Sequence, residues 1–164
     1  MKDRWIALYV ENQVGVLAKI SGLFAGKSYN LKSLTVGTTE NEDTSRMTIC
    51  ATCDDITFEQ IKKQLNRMVE VIKVMDLSNV PIHMKEILFA KVKKCSDADK
   101  AECFRIAQAF RVEVADIGED SVLLECTLTD HRNGDLITLL KKQFKSKVEI
   151  VRGGAVAIEA ISTS

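Results

Sequence analysis

Trp5-Ile6-Ala7-Leu8-Tyr9-Val10-Glu11-Asn12-Gln13-Val14-Gly15-Val16-Leu17 decides the reading of this chain. Its first half alternates, with Ile6, Leu8 and Val10 on one face, the period of a half-buried strand. Past Glu11 the period changes. Val16, Leu17, Ile20, Leu23 and Phe24 recur at spacings of three and four, the mark of an amphipathic helix. Gly15 stands at the corner, where a chain that turns tightly or approaches a ligand closely needs a residue without Cβ. Free N–H groups at the start of such a helix favour an anion such as a carboxylate. A second polar corner, Ser28-Tyr29-Asn30, opens another alternating run from Leu31 to Val36. One helix bracketed by two Asn-bearing corners predicts a small-molecule pocket of a regulatory kind.

Outward from this stretch the pattern continues. Strands are expected over 4–11, 30–39 and 45–53, the last two joined by the acidic loop Glu40-Asn41-Glu42-Asp43. The first helix is expected over 15–26. The second opens at Asp54-Asp55, where carboxylates suit a helix start, and carries Phe58, Ile61, Leu65 and Met68 on one stripe. A strand over 69–77 completes β-α-β-β-α-β. Ser78-Asn79-Val80-Pro81 breaks the pattern with the only proline of the chain, a residue unable to donate to a sheet ladder.

The second half repeats the order. A strand is expected over 84–94, then a helix over 97–110 with Ala101, Phe104, Ala107 and Gln108 at helical spacing. A hairpin over 111–117 and 121–128 follows, and a helix over 135–144 with Leu136, Ile137, Leu140 and Phe144 inward. One or two strands over 148–161, interrupted by Gly153-Gly154, close the chain. The fold expected is α+β, two tandem ferredoxin-like βαββαβ domains of about 80 residues each. Residues 1–78 form the first, 79–83 a linker and 84–164 the second. Each sheet would keep one bare face and exposed edges, which invites dimerisation.

Composition narrows the function. Lys+Arg and Asp+Glu each number 23, for a net charge of zero, which speaks against nonspecific contact with nucleic acid or an anionic membrane. No apolar stretch approaches the length of a membrane span, and the chain is expected to be cytoplasmic. The five cysteines are odd in number and without framework spacing, so reduced thiols are expected. Cys50-Ala51-Thr52-Cys53 has a C-x-x-C spacing, but at the end of a strand its two thiols point to opposite faces. No second pair stands ready to complete a zinc site. His83 and His131 have no nucleophile motif beside them, and no phosphate loop or hydrolase motif occurs. Catalysis and metal binding are not expected.

The string Leu8 to Phe24, followed by Tyr29-Asn30-Leu31-Lys32-Ser33-Leu34-Thr35-Val36, resembles an ACT domain, the amino-acid-sensing module of many metabolic enzymes. More narrowly, it resembles the small regulatory subunits of acetolactate synthase (acetohydroxyacid synthase). Ser45-Arg46-Met47-Thr48-Ile49 is similar to that family's third strand, and Gln64 to Val71 to its second helix and fourth strand. Lys85-Glu86-Ile87-Leu88 and Ala109-Phe110-Arg111 fall where its C-terminal domain begins.

That resemblance implies a non-catalytic subunit. Its partner would be the large catalytic subunit, which carries thiamine diphosphate, magnesium and FAD, with no cofactor in this chain. The small subunit would raise the partner's activity and confer feedback inhibition by a branched-chain amino acid, valine. It also implies an effector site shared by two chains of a homodimer. The backbone of Val14, Gly15, Val16 and Leu17 would take the carboxylate, and Asn12 would help hold the ammonium. Val16 and Leu17 would touch the effector's side chain, and Asn30 and Leu31 of the partner protomer would close the site. Two other readings stay open: a stand-alone tandem ACT sensor acting on another enzyme or on transcription, and a small enzyme built on Cys50 and Cys53.

Overall fold

β1 (Lys2–Glu11) runs through the middle of a four-stranded sheet, hydrogen-bonded to a neighbour on either side. The computed structural model describes residues 1–27 and 29–161, so Ser28 of the second corner and the last three residues lie outside the described residues. Among the described residues β1 is followed by α1 (Val16–Gly26), β2 (Asn30–Thr38), β3 (Thr44–Cys53), α2 (Asp55–Leu65) and β4 (Val71–Asp76). The sheet order is β2-β3-β1-β4, with β1 antiparallel to both β3 and β4.

Alternation does what it predicts. Ile6, Leu8 and Val10 of β1 meet Met47, Ile49 and Ala51 of β3, and α1 and α2 lay Val16, Ile20, Phe24, Phe58, Ile61 and Leu65 over them. Arg4 shares that face and is only 6% exposed. Its guanidinium pairs with Asp55 in the first turn of α2 and lies over the Phe58 ring, 5.1 Å from the centroid. A charge in an apolar row is thus explained by the helix start above it. The opposite face of this sheet is not bare as expected, since Trp5, Ala7, Thr48 and Cys50 are buried as well.

The second set of elements is β5 (Ile82–Val92), α3 (Asp97–Phe110), β6 (Glu113–Ile117), β7 (Val122–Leu128), α4 (Asp130–Phe144) and β8 (Val148–Glu159), with sheet order β6-β7-β5-β8. Each set is a βαββαβ ferredoxin-like unit. By packing, Met84–Ala155 form one compact unit, while residues 156–161 group with Met1–His83. The strand expected to end the second domain therefore serves both groups.

Three details differ from the expected pattern. The buried stripe of α3 is Cys103, Ile106 and Ala107, and Phe104 is 44% exposed. The cysteine is the small apolar residue that sets this phase, and a large aromatic nearby disguised it. α4 begins five residues before its expected start, because the Thr129 hydroxyl accepts from Arg132 N and caps it. His131 is therefore helical and not in a turn. β8 is a single strand in which Gly154 takes φ +81°, a left-handed bend that glycine absorbs without breaking the ladder.

Inside the second unit sits a polar knot. Glu86 of β5 is 4% exposed and accepts from Arg152 of β8, Nε to Oε1 at 2.9 Å and Nη2 to Oε2 at 2.8 Å. The fully buried Asn133 of α4 donates through Nδ2 to the Glu86 carbonyl and to Oε2, both at 3.0 Å. Removing one partner strands a buried charge, so Arg152→Met is expected to cost roughly 3–5 kcal/mol in chemical denaturation.

Acid should weaken the second unit in a defined way. The Lys147 ammonium at Asp99, together with the Ser96 backbone N–H, holds the Asp99 carboxyl below its usual 3.8. A depressed carboxyl adds stability above its unfolded pKa and loses it as pH falls through the folded value. Tm measured through and below pH 3.8 is expected to fall less steeply in Asp99→Asn than in the natural chain.

Candidate functional site

The corner between β1 and α1 is built by Asn12. Its backbone N–H donates to Asp43 O at 2.8 Å, and its Nδ2 to Glu42 O at 2.8 Å. Its Oδ1 accepts from Ser45 Oγ at 3.0 Å. The side chain expected to receive a ligand's ammonium thus ties the β2–β3 loop to the end of β1, with one lone pair of Oδ1 left over.

Gly15 follows as the N-cap of α1 with φ +88° and no side-chain cap. α2, α3 and α4 each have one, from Asp54, Ser96 and Thr129. Val16 N reaches Gln13 O at 3.3 Å, and Lys19 N is the first to bond back along the helix, to Gly15 O at 3.0 Å. The N–H groups of Leu17 and Ala18 therefore have no carbonyl one turn behind them inside the helix. A Cβ built on Gly15 meets nothing within 4 Å, so the space before this helix start is open.

Around the opening, Val14 is 106% and Leu17 43% exposed, whereas Val16 is 4% exposed and sits in the core. The contact expected of Val16 with an effector side chain is not available. It faces inward by the helical period, leaving Val14 and Leu17 as the apolar lip. Lys19 of α1 pairs with Glu70, and this bond holds the Glu70 carboxyl below its usual range. Glu70 O in turn accepts from Glu11 N at 2.9 Å, closing the other side of the corner. Sequence reasoning missed the Lys19–Glu70 pair because its partners lie 51 residues apart and neither carries a motif.

Asn30 opens β2 at the far end of the same sheet. It stands opposite Thr52, and Thr52 opposite Asp3. From Asp3 to Asn12 along β1 is about 30 Å at strand spacing. One chain therefore does not bring the Asn30 corner to the Gly15 corner. Asn30 is exposed and lines an open cleft of about 250 Å³ with Lys27, Tyr29, Asp54 and Thr57. Leu31 packs against the core, next to a register shift between Leu31 and Ser33.

The cysteines are buried free thiols. Burial pushes the Cys53 thiol up from its usual range, which leaves it a poor nucleophile. Among the described residues no group of His, Cys, Asp and Glu side chains is placed to hold a metal ion, and no helix is long and apolar enough to cross a membrane.

Comparison with known proteins gives this geometry its setting. Residues 6–73 match the family described as AHAS small subunit-like ACT domain, and residues 85–161 match that described as small subunit of acetolactate synthase. The acetolactate synthase small subunit of Aquifex aeolicus is 41% identical over 153 residues, 93% of this chain and 79% of its own. That of Bacillus subtilis is 37% identical over 155 residues, 94% of this chain and 88% of its own. The crystal structure of the small subunit from Thermotoga maritima superposes with a TM-score of 0.87 at 33% identity, covering 99% of both chains. Matches that span both units, joined to a corner that offers backbone donors and no catalytic group, place this chain in the family of acetolactate synthase small subunits, the regulatory, non-catalytic chains of that enzyme.

Proposed function

We propose that this chain binds the large catalytic subunit of acetolactate synthase, raises its activity, and makes it sensitive to valine held between two copies of the first unit. Thiamine diphosphate, magnesium and FAD belong to the catalytic partner in this reading. The observation that carries it is the uncapped start of α1. Leu17 and Ala18 present backbone donors and a helix dipole to an open space rimmed by Val14 and the side chain of Leu17. A carboxylate satisfies the donors, and the apolar lip suits a small branched side chain.

Closure of the site needs a second copy. β2 is an edge of its sheet, and its Thr38 end pairs through Ser45 to Val10, beside the Asn12 corner. Antiparallel pairing of two β2 edges about a twofold axis sets the start of one strand against the end of the other. The partner's Asn30 corner thereby comes toward the Gly15 corner, 30 Å out of reach within one chain by the strand-spacing estimate of about 3.3 Å per residue. An effector spanning both copies binds the pair better than the separate chains, and so shifts the assembly by its differential affinity.

Asn30→Ala and Gly15→Asp are expected to leave activation of the catalytic subunit intact while raising the valine needed for inhibition by about 10-fold or more, the scale of ~1–3 kcal/mol of coupling. Isothermal titration with valine, leucine and isoleucine reports the choice of effector and the number of sites per dimer. Equal valine sensitivity in both variants and the natural chain overturns the placement. A separate measurement isolates the backbone: Gly15→Ala is expected to lose about 1 kcal/mol in urea denaturation from the left-handed φ alone, with Gly15→Asn recovering most of it.

A further inference from the structure

The knot of Glu86, Arg152 and Asn133 lies where the chain passes between the two units. β5 begins at Ile82 and β8 ends at Glu159, while the units divide after His83 and after Ala155. Both strands therefore run unbroken through the division, and Glu86 and Arg152 hold them together just inside the second unit.

The cluster has the makings of a two-state element. A buried carboxylate with a half-broken partner carries an uncompensated charge, so the pair is either formed or released. Only one member is free to leave. The Arg152 side chain is 40% exposed and that of Glu86 only 4%, and Asp130 in the first turn of α4 attracts the same guanidinium. The Asn133 Oδ1, buried and without a partner among the described residues, is an acceptor in reserve beside the pair. Intermediate arrangements are penalised, and a second resting place for the arginine is at hand.

We infer that Glu86, Arg152 and Asn133 form a latch across the two crossing strands, and that effector binding in the first unit alters the second by releasing it. This rests on the effector reading proposed above. Its members are positioning residues that touch no ligand.

The test uses the full chain and its complex with the catalytic subunit. Amide hydrogen exchange at residues 82–88 and 150–157 is followed with and without valine, in the natural chain and in Arg152→Lys. That variant keeps the charge and loses the two-pronged contact, so no carboxylate is left stranded, and Glu86→Gln serves as a second variant. Valine is expected to speed exchange at both crossings of the natural chain. In Arg152→Lys, exchange there is expected to be faster by roughly 10-fold without valine. Valine binding by calorimetry should be unchanged, while valine inhibition of the complex is lost. Bound valine that leaves exchange at the crossings unaltered overturns the latch. So does faster exchange in Arg152→Lys with inhibition intact, which is what a purely structural pair would give. If calorimetry finds no valine bound to the natural chain, the effector reading fails. The latch is then judged on exchange in Arg152→Lys alone: unchanged exchange at both crossings overturns it, and faster exchange supports it.

Discussion

The register of β1 against β3, and of β3 against β2, governs where chemistry can occur in this chain. Ten consecutive pairings lock β1 to β3, and slipping by one residue would turn Ile6, Leu8 and Val10 out of the core. That same lock holds the Asn12 corner at one end of the sheet and the Asn30 corner at the other. A ligand that needs both corners needs two chains. The geometry of regulation thus descends from the hydrophobic alternation of a single strand, before any residue of the corners is considered.

How much of this was legible depended on the range over which each signal acts. Strand β1, helix α1 and the carboxylate cap of α2 are written in adjacent residues, by period and by the Asp54 that accepts from Thr57 N at 2.7 Å. Their limits moved little between expectation and structure. α4 was under-read because Asp130-His131-Arg132-Asn133-Gly134 has the composition of a turn, while the Thr129 cap and the burial of Asn133 and Leu136 outweigh its one glycine. The phase of α3 was misjudged because an exposed Phe104 imitates a core position. Long-range partners leave no local trace. Nothing around Glu86 announces Arg152, and nothing around Lys19 announces Glu70.

The candidate site divides along the same line. Gly15 as a left-handed corner, and an open helix start behind it, follow from neighbouring residues. That Asn12 is occupied by Ser45 and the Glu42 carbonyl, and that Val16 faces the core, are consequences of packing between elements. The two units also show that one supersecondary pattern does not fix the fate of its surfaces. In the first, Ala7, Thr48 and Cys50 are buried on the face away from the helices. In the second, that face exposes Ile87 and Val151, and Phe89, Leu123 and Val151 line an open depression of about 260 Å³.

The placement of sulfur has a practical side. All five thiols are buried. Cys50 and Cys53 lie in one unit, and Cys95, Cys103 and Cys126 in the other. Burial pushes Cys103 up to about 12 and Cys126 up to about 11, so little thiolate exists at neutral pH while the fold is closed. A thiol-directed reagent therefore meets an almost silent protein until a unit opens. The residues it then labels say which of the two has opened, making the chain its own gauge of piecewise melting without any added dye.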